Sequence, residues 1–196
     1  MRAHLAFSIV LVSGGVAAAD DMGAMQCTKE GCAPISTHRP GDMTLDAGIG
    51  AAKLWLDLPE NNASPLTADF QGGAGAYVTR VVALGLRGHV TFGRGPTTMT
   101  SLGVDVRWDR GGIFFAATPA IAHVRAPGPI PARSAMLSST DALAASIELR
   151  AGLDLGRAHA SLSVMPMYAF ANDGFDAQTA MRCGLAVGAA VEVELP

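Results

Sequence analysis

The chain has 196 residues, of which 49% are apolar and only 16% are charged, against roughly 25% charged in ordinary globular domains. Its net charge of −3, without a basic cluster, argues against a nucleic-acid-binding protein. Beyond the N-terminus, no run of about 18 apolar residues could form a membrane helix. High hydropathy without such runs is typical of a β-barrel, whose lipid-facing residues occupy alternate positions.

The N-terminus has the pattern of a secretory signal peptide. Arg2 and His4 precede an apolar run at 5–12, and three alanines follow at 17–19. The run is much shorter than the roughly 20 residues of a spanning helix. We therefore predict residues 1–19 to be a cleavable signal peptide that directs export.

The next segment, 20–42, is polar, and we interpret it as an irregular N-terminal extension or plug-like segment. It contains Cys27 and Cys32, with His38 nearby. This spacing is not a standard zinc pattern, and exported proteins meet an oxidising compartment. A Cys27–Cys32 disulfide is therefore predicted in preference to a metal site, while Cys183 is predicted to lie on the apolar face of the last strand.

From residue 43 to 196 the hydrophobicity alternates with period two, which indicates β-strands with two different faces. The segment 146–155 is the clearest example, since every second residue from Ile147 to Leu155 is apolar and the others are mostly polar. Gly156 and Arg157 leave room for only a tight hairpin turn before the next strand. The strands predicted in this way are 44–58, 74–92, 102–109, 113–125, 146–155, 158–170 and 180–195, with loops at 59–73, 93–98, 126–141 and 172–178.

Seven strands are clear, but bacterial single-chain barrels have even numbers of strands. The segment 74–92 is long for one strand and could be divided by a turn at 85–88; otherwise the N-terminal segment could supply a strand. We predict eight strands. A phase change suggests a bulge near 52–53, and Pro119 and Pro166 are expected at bulges or rim positions because proline cannot donate to the ladder.

The two faces of these strands differ in a way that favours a barrel with its apolar side toward lipid. The polar faces are rich in glycine, which suits a narrow lumen, and their charges are of both signs and can pair inside it. The predicted interior charge network consists of Arg87, Asp105, Arg107, Glu148, Arg150, Asp154, Arg182, Glu192 and Glu194. Aromatic residues near strand ends are predicted to form the girdles of a membrane barrel; they are Trp55, Tyr77, Phe92, Trp108, Phe114, Tyr168 and Phe170.

The stretches 84–92, 102–108 and 184–195 resemble the small outer-membrane β-barrel superfamily, of the kind seen in OmpX and the OmpA transmembrane domain. The resemblance covers 43–196 and rests on pattern. It implies an all-β fold, an antiparallel up-and-down transmembrane barrel, and an outer-membrane location, but no activity. Members usually end in an aromatic residue, whereas this chain ends in Glu192-Val-Glu-Leu-Pro196.

The preferred functional prediction is a non-enzymatic, monomeric outer-membrane protein with a structural or surface-interaction role. Lipid surrounds it, a surface partner would bind through the loops at 58–73 and 126–139, and no cofactor or metal is expected. Side chains fill the lumen of an eight-stranded barrel, so a wide pore is not expected.

Two alternative functions remain open at this point. The first is a soluble periplasmic barrel that binds a small apolar ligand, with its apolar face turned inward. The second is a membrane-embedded hydrolase resembling lipid A deacylases, in which His159 would activate Ser161. Asp173, the remaining candidate for orienting the histidine, follows the far end of a long strand. For the carboxylates Glu148, Asp154, Glu192 and Glu194 we prefer ion pairing to acid/base chemistry.

Overall fold

The structure is a computed structural model, and it describes residues 25–28, 31–34, 38–57, 66–93, 97–127, 139–172 and 181–195. The predicted signal peptide at 1–19 lies outside the described residues. The chain divides into two units, 1–35 and 36–196. Within the described ranges, no helix is long and apolar enough to cross a membrane.

The first unit contains a short hairpin. Strands β1 (Met25–Thr28) and β2 (Gly31–Pro34) pair antiparallel, and Cys27 lies directly opposite Cys32. The prediction of an irregular segment is therefore wrong at these residues. Opposed residues of antiparallel strands have Cα atoms about 4.5–5.5 Å apart, which is compatible with a disulfide. The Cys27–Cys32 disulfide itself stays a prediction.

The second unit is a closed antiparallel barrel of eight strands, in which consecutive strands are neighbours and the last strand pairs with the first. The eight-stranded up-and-down fold is thus confirmed. The strands are β3 (Met43–Leu56), β4 (Leu66–Tyr77), β5 (Val82–Phe92), β6 (Thr98–Arg110), β7 (Ile113–Pro127), β8 (Ser139–Asp154), β9 (Ala158–Asn172) and β10 (Cys183–Glu194).

The eighth strand arises from the division of the segment 74–92, but the turn lies at 78–81 rather than at 85–88. The Val82 carbonyl accepts from the amides of Val78 and Thr79. The Thr79 hydroxyl in turn accepts from the amide of Val82 at 3.0 Å. This local side-chain bonding closes the turn, so the glycines at 85 and 88 remain within β5.

The predicted bulge near 52–53 is wrong, because β3 keeps a continuous register with both neighbours through these residues. The apparent change of phase has another cause. Leu54 and Leu56 are apolar but point inward, where they are 0% and 2% exposed. The side chains of β3 therefore keep alternating between the outward and inward faces, and only the chemical character of the inward side chains changes.

The expectation of bulges or rim positions at Pro119 and Pro166 is also wrong. Both prolines lie in the middle of their strands and face outward, and the pairings on either side of them keep the same register. A shift of register does occur between β8 and β9, at Leu143 and Ala144. The outward position keeps each pyrrolidine ring out of the narrow lumen.

The two ends of the barrel differ. One end, here called the turn end, has connections at 78–81, 111–112 and 155–157, and the strand ends Met43 and Glu194 lie there as well. The opposite end, here called the loop end, has longer connections. The loops predicted at 58–73 and 126–139 need correction, because residues 66–73 belong to β4 and Ala126 and Pro127 to β7. Residues 58–65 and 128–138 lie outside the described residues.

Candidate functional site: the barrel lumen and its outer wall

Alternation directs every second side chain of each strand into the lumen, and these side chains form three layers along the barrel. The first layer lies toward the loop end and is apolar, so we call it the apolar layer. Buried residues of this kind fill the lumen rather than leave a channel. Its members are Leu54, Leu56, Met99, Ala122, Val124, Ala126, Ala142, Ala144, Met165, Met167, Met181 and Ala186.

The second layer, the ionic layer, is centred on Glu192, whose side chain is 1% exposed. Arg87 Nη2 lies 2.8 Å from Glu192 Oε2, and Arg150 Nη1 lies 3.2 Å from Oε1. Gln71 Nε2 and Ser161 Oγ each donate to Oε1 at 3.2 Å. One carboxylate therefore joins side chains from β4, β5, β8 and β9, as buried charges require when they are removed from water.

Each arginine of this layer has a second acidic partner. Arg87 Nη1 donates to Asp46 Oδ1 at 2.9 Å, and Arg150 Nη2 donates to Asp105 Oδ1 at 3.1 Å. The Thr118 hydroxyl donates to the same Asp105 oxygen at 2.6 Å. Arg150 thus bridges carboxylates on β6 and β10, which lie on opposite sides of the lumen, whereas the two partners of Arg87 lie on the adjacent strands β3 and β10. Each guanidinium group links its own strand to non-adjacent strands by side chains alone.

A histidine extends the ionic layer. His89 Nε2 lies 2.9 Å from Glu148 Oε2, and its Nδ1 lies 3.4 Å from Asp69 Oδ2. All three side chains are buried. A protonated His89 could donate to both carboxylates and would join β4, β5 and β8.

The third layer lies at the turn end and combines aromatic and charged groups. The Tyr77 hydroxyl donates to Asp109 Oδ2 at 2.7 Å, and Arg107 Nε donates to Asp109 Oδ1 at 2.8 Å. The Arg107 guanidinium lies 4.4 Å from the centre of the Phe114 ring, within the range of a cation–π contact. His38 stacks on Tyr77 with the ring centres 3.9 Å apart. Rings and paired charges therefore fill this end.

Most of the predicted charge network faces the lumen. The exception is Arg182, which is exposed and lies just before β10. Besides the predicted network, the lumen contains Asp46, whose side chain is 13% exposed, and the buried residues Asp69, Asp109 and His89. His159, which was considered only as a possible hydrolase base, is buried there as well. Asp69 was not predicted because its segment was interpreted as a loop, whereas the alternation within 84–92 already indicated that His89 shares a face with Arg87.

Two residues of the predicted aromatic girdle are misplaced. Tyr77 and Phe114 are 2% and 0% exposed and lie in the lumen. They occupy inward-facing positions of their strands and fill the lumen at the turn end. The other five face outward: Trp55, Phe92, Tyr168 and Phe170 toward the loop end, and Trp108 toward the turn end. Phe115, which was not predicted, stacks on Trp108 at 5.9 Å.

Inward glycines make room for large neighbours. A Cβ atom added to Gly152 would collide with the Phe114 ring and with the carbonyl oxygen of Ala160. A Cβ atom on Gly48 would lie 2.6 Å from Glu192 Cγ. The small residues on the polar faces therefore give space to particular side chains within the lumen.

The residues of the hydrolase alternative also lie in the lumen. Ser161 donates to Glu192, and His159 Nδ1 lies 3.6 Å from Asp154 Oδ1. Both His159 and Ser161 are buried, away from the outer wall where a lipid substrate would lie. Asp173 lies outside the described residues. Within the described ranges, no group of three or more His, Cys, Asp or Glu residues could hold a metal ion.

The outer wall of the barrel is apolar on every strand. The outward-facing residues of the strands expose large apolar side chains, such as Ile49 at 67%, Leu102 at 63% and Leu162 at 69%. This contradicts the alternative that required the apolar face to turn inward. Each strand contributes at least one large exposed apolar residue. In the order β3 to β10, examples are Ile49, Phe70, Leu86, Val104, Ile121, Leu149, Leu162 and Val191.

The chain has recognisable structural neighbours among known proteins. The chain is similar to the crystal structure of Neisserial surface protein A, with a TM-score of 0.50 and 10% identity, covering 78% of this chain and 97% of that one. It also matches the outer membrane protein OprG from Pseudomonas aeruginosa, with a TM-score of 0.36 and 10% identity, covering 82% and 99%. No protein-family model and no curated protein matches the chain. The likeness to the neisserial protein agrees with the small eight-stranded barrel described above.

Proposed function

We propose that this protein is an outer-membrane barrel with a structural or surface-interaction role and no catalytic activity. The observation that supports the proposal best is the distribution of polarity, which is inverted relative to that of a water-soluble protein. Large apolar side chains are exposed around the whole wall, while the buried ions lie inside. A water-soluble protein rarely exposes a contiguous apolar patch beyond a few hundred Å², whereas a membrane barrel needs an apolar band about 25 Å tall.

The dimensions of the strands agree with this location. The barrel strands have 11 to 16 residues, and a transmembrane strand needs about 9–11. Outer-membrane barrels have short turns on the periplasmic side and longer loops outside. By this rule the turn end faces the periplasm, and a surface partner would meet the loop end through the connections at 58–65 and 128–138.

The filled lumen supports a role at the surface rather than in transport. The apolar layer occupies the loop end, and Glu192 with its arginines occupies the middle. Within the described strands, no wide channel passes these layers. The Ser161 hydroxyl donates a hydrogen bond to Glu192, which argues against Ser161 acting as a nucleophile.

The two tryptophans allow a direct test of the membrane location. Trp55 and Trp108 are the only tryptophans of the chain, and they face outward toward opposite ends. The full precursor would be expressed in a Gram-negative host, recovered from its membranes and reconstituted with lipids brominated on the acyl chains. We expect quenching of tryptophan fluorescence in both single variants, Trp55→Phe and Trp108→Phe.

Two further results bear on the same proposal. Recovery in the outer-membrane fraction, with a gel mobility that changes on boiling, is expected for a closed membrane barrel. Recovery as a detergent-free periplasmic protein whose tryptophans are not quenched would refute the proposal.

A further inference from the structure

The outer wall has an open groove of about 680 Å³ across β6, β7, β8 and β9. The strand register arranges its outward side chains in two rows. One row crosses the four strands nearer their middle, and the other lies one step closer to the turn end. The first row is Val106, Ala117, Leu149 and Val164, and the second is Trp108, Phe115, Ala151 and Leu162.

The groove exists because two small residues lie between large ones. Ala117 and Ala151 provide little bulk on the two central strands. The stacked rings of Trp108 and Phe115 form its border toward the turn end. Leu162 rises on the β9 side and is 69% exposed. The wall thus has an apolar depression whose volume falls within the roughly 300–1,000 Å³ of small-molecule sites.

Cationic side chains lie beyond the aromatic border. Arg110 is the last residue of β6 and is exposed, two residues beyond Trp108 on the same face. Two strand residues span about 6.6–6.8 Å, well within reach of an arginine side chain. Arg157, also exposed, lies in the β8–β9 turn at the same end. Among the residues that the structure describes, no ion pair involves Arg110 or Arg157.

We propose that this groove binds one phospholipid, with an acyl chain between the two rows and the anionic phosphate at Arg110. The inference rests on the proposed membrane location, which places the turn end among the headgroups of the periplasmic leaflet. A guanidinium recognises a phosphate through paired, charge-assisted hydrogen bonds. The cationic end of the groove selects an anionic lipid over a zwitterionic one, and the concave apolar surface holds it more firmly than the rest of the wall.

Native mass spectrometry of the membrane-purified protein in mild detergent tests this proposal. Phosphatidylglycerol or phosphatidylcholine is added before stepwise delipidation. We expect the wild type to retain one phosphatidylglycerol at least tenfold more than phosphatidylcholine. The double variant Ala117→Leu/Ala151→Leu, which fills the groove, loses this retention, and Arg110→Gln lowers retention of phosphatidylglycerol to that of phosphatidylcholine.

Matched variants on the opposite wall control for general effects of bulk and charge. Ala68→Leu/Ala74→Leu adds the same bulk to the outward face of β4, and Lys53→Gln removes an outward cation toward the loop end. Both are expected to retain phosphatidylglycerol as the wild type does. Equal retention by the groove and control variants would overturn the proposal, and so would a groove-dependent dimer without lipid.

Tryptophan quenching by brominated lipid in the same variants separates the two proposals. Quenching without groove-dependent retention refutes the lipid site alone. Absence of quenching refutes the membrane location and the lipid site together.

Discussion

Removal of the charge on Glu192 is expected to destabilise the barrel strongly. The substitution Glu192→Gln keeps the size of the side chain but weakens its contacts with Arg87, Arg150, Gln71 and Ser161. Loss of one partner of a buried ion pair costs about 3–5 kcal/mol. Each arginine keeps a second carboxylate, so we expect a loss near the lower limit, about 3 kcal/mol, or roughly a hundredfold in the folding equilibrium.

Urea-dependent folding into lipid vesicles, followed by gel mobility, would measure this loss. A double-mutant cycle with Arg150→Gln is expected to give a coupling energy of about 1–2 kcal/mol. Arg125→Gln is the control, because Arg125 forms an exposed pair with Asp141, and its effect should be much smaller. If the Glu192 and Arg150 substitutions were additive within about 0.5 kcal/mol, the reasoning about a shared buried network would be refuted.

Three further predictions concern packing and covalent structure. Gly152→Val should cost about 1–3 kcal/mol by overpacking against Phe114, and this cost should be smaller when it is measured by urea titration in a Phe114→Ala background; an equal cost in both backgrounds would contradict the collision with Phe114. Leu54→Ala should cost about 2–5 kcal/mol by leaving a cavity in the apolar layer, and an unchanged urea midpoint would show that the layer is loosely packed. The exported protein should be lighter than its reduced form by two hydrogen atoms, and a Cys27→Ser variant should show no such difference; equal masses in the wild type would exclude the Cys27–Cys32 disulfide.

The sequence predicted the fold and the chemistry of the lumen because alternation identifies the face on which a residue lies. It thereby placed Arg87, Arg150 and Glu192 inside correctly. Alternation does not give the position of a residue along the barrel axis, and this position decides which other side chains an inward side chain contacts. Tyr77 and Phe114 were therefore assigned to the girdle because of their residue type, although they fill the turn end.

Strand boundaries were less predictable, because turn residues and lumen glycines look alike in sequence. Gly85 and Gly88 suggested a turn, but Gly85 lies opposite Gly75 in the ladder, where an added Cβ would meet the neighbouring backbone. Likewise, the glycines at 72 and 73 made part of β4 resemble a loop. A narrow barrel needs small residues where strands approach closely, and the same composition marks loops in other folds.

The seam between β10 and β3 has a consequence for the order of assembly. It pairs Glu194 with Asp46 and Gly184 with Leu56, so its partners lie at opposite ends of the barrel sequence. Contacts of such high sequence separation are slow to form because a long chain segment must be ordered first. Until the seam closes, β3 and β10 are both unpaired edges that can join other chains. We therefore expect seam closure to be the late, rate-limiting event, during which the protein is most vulnerable to aggregation.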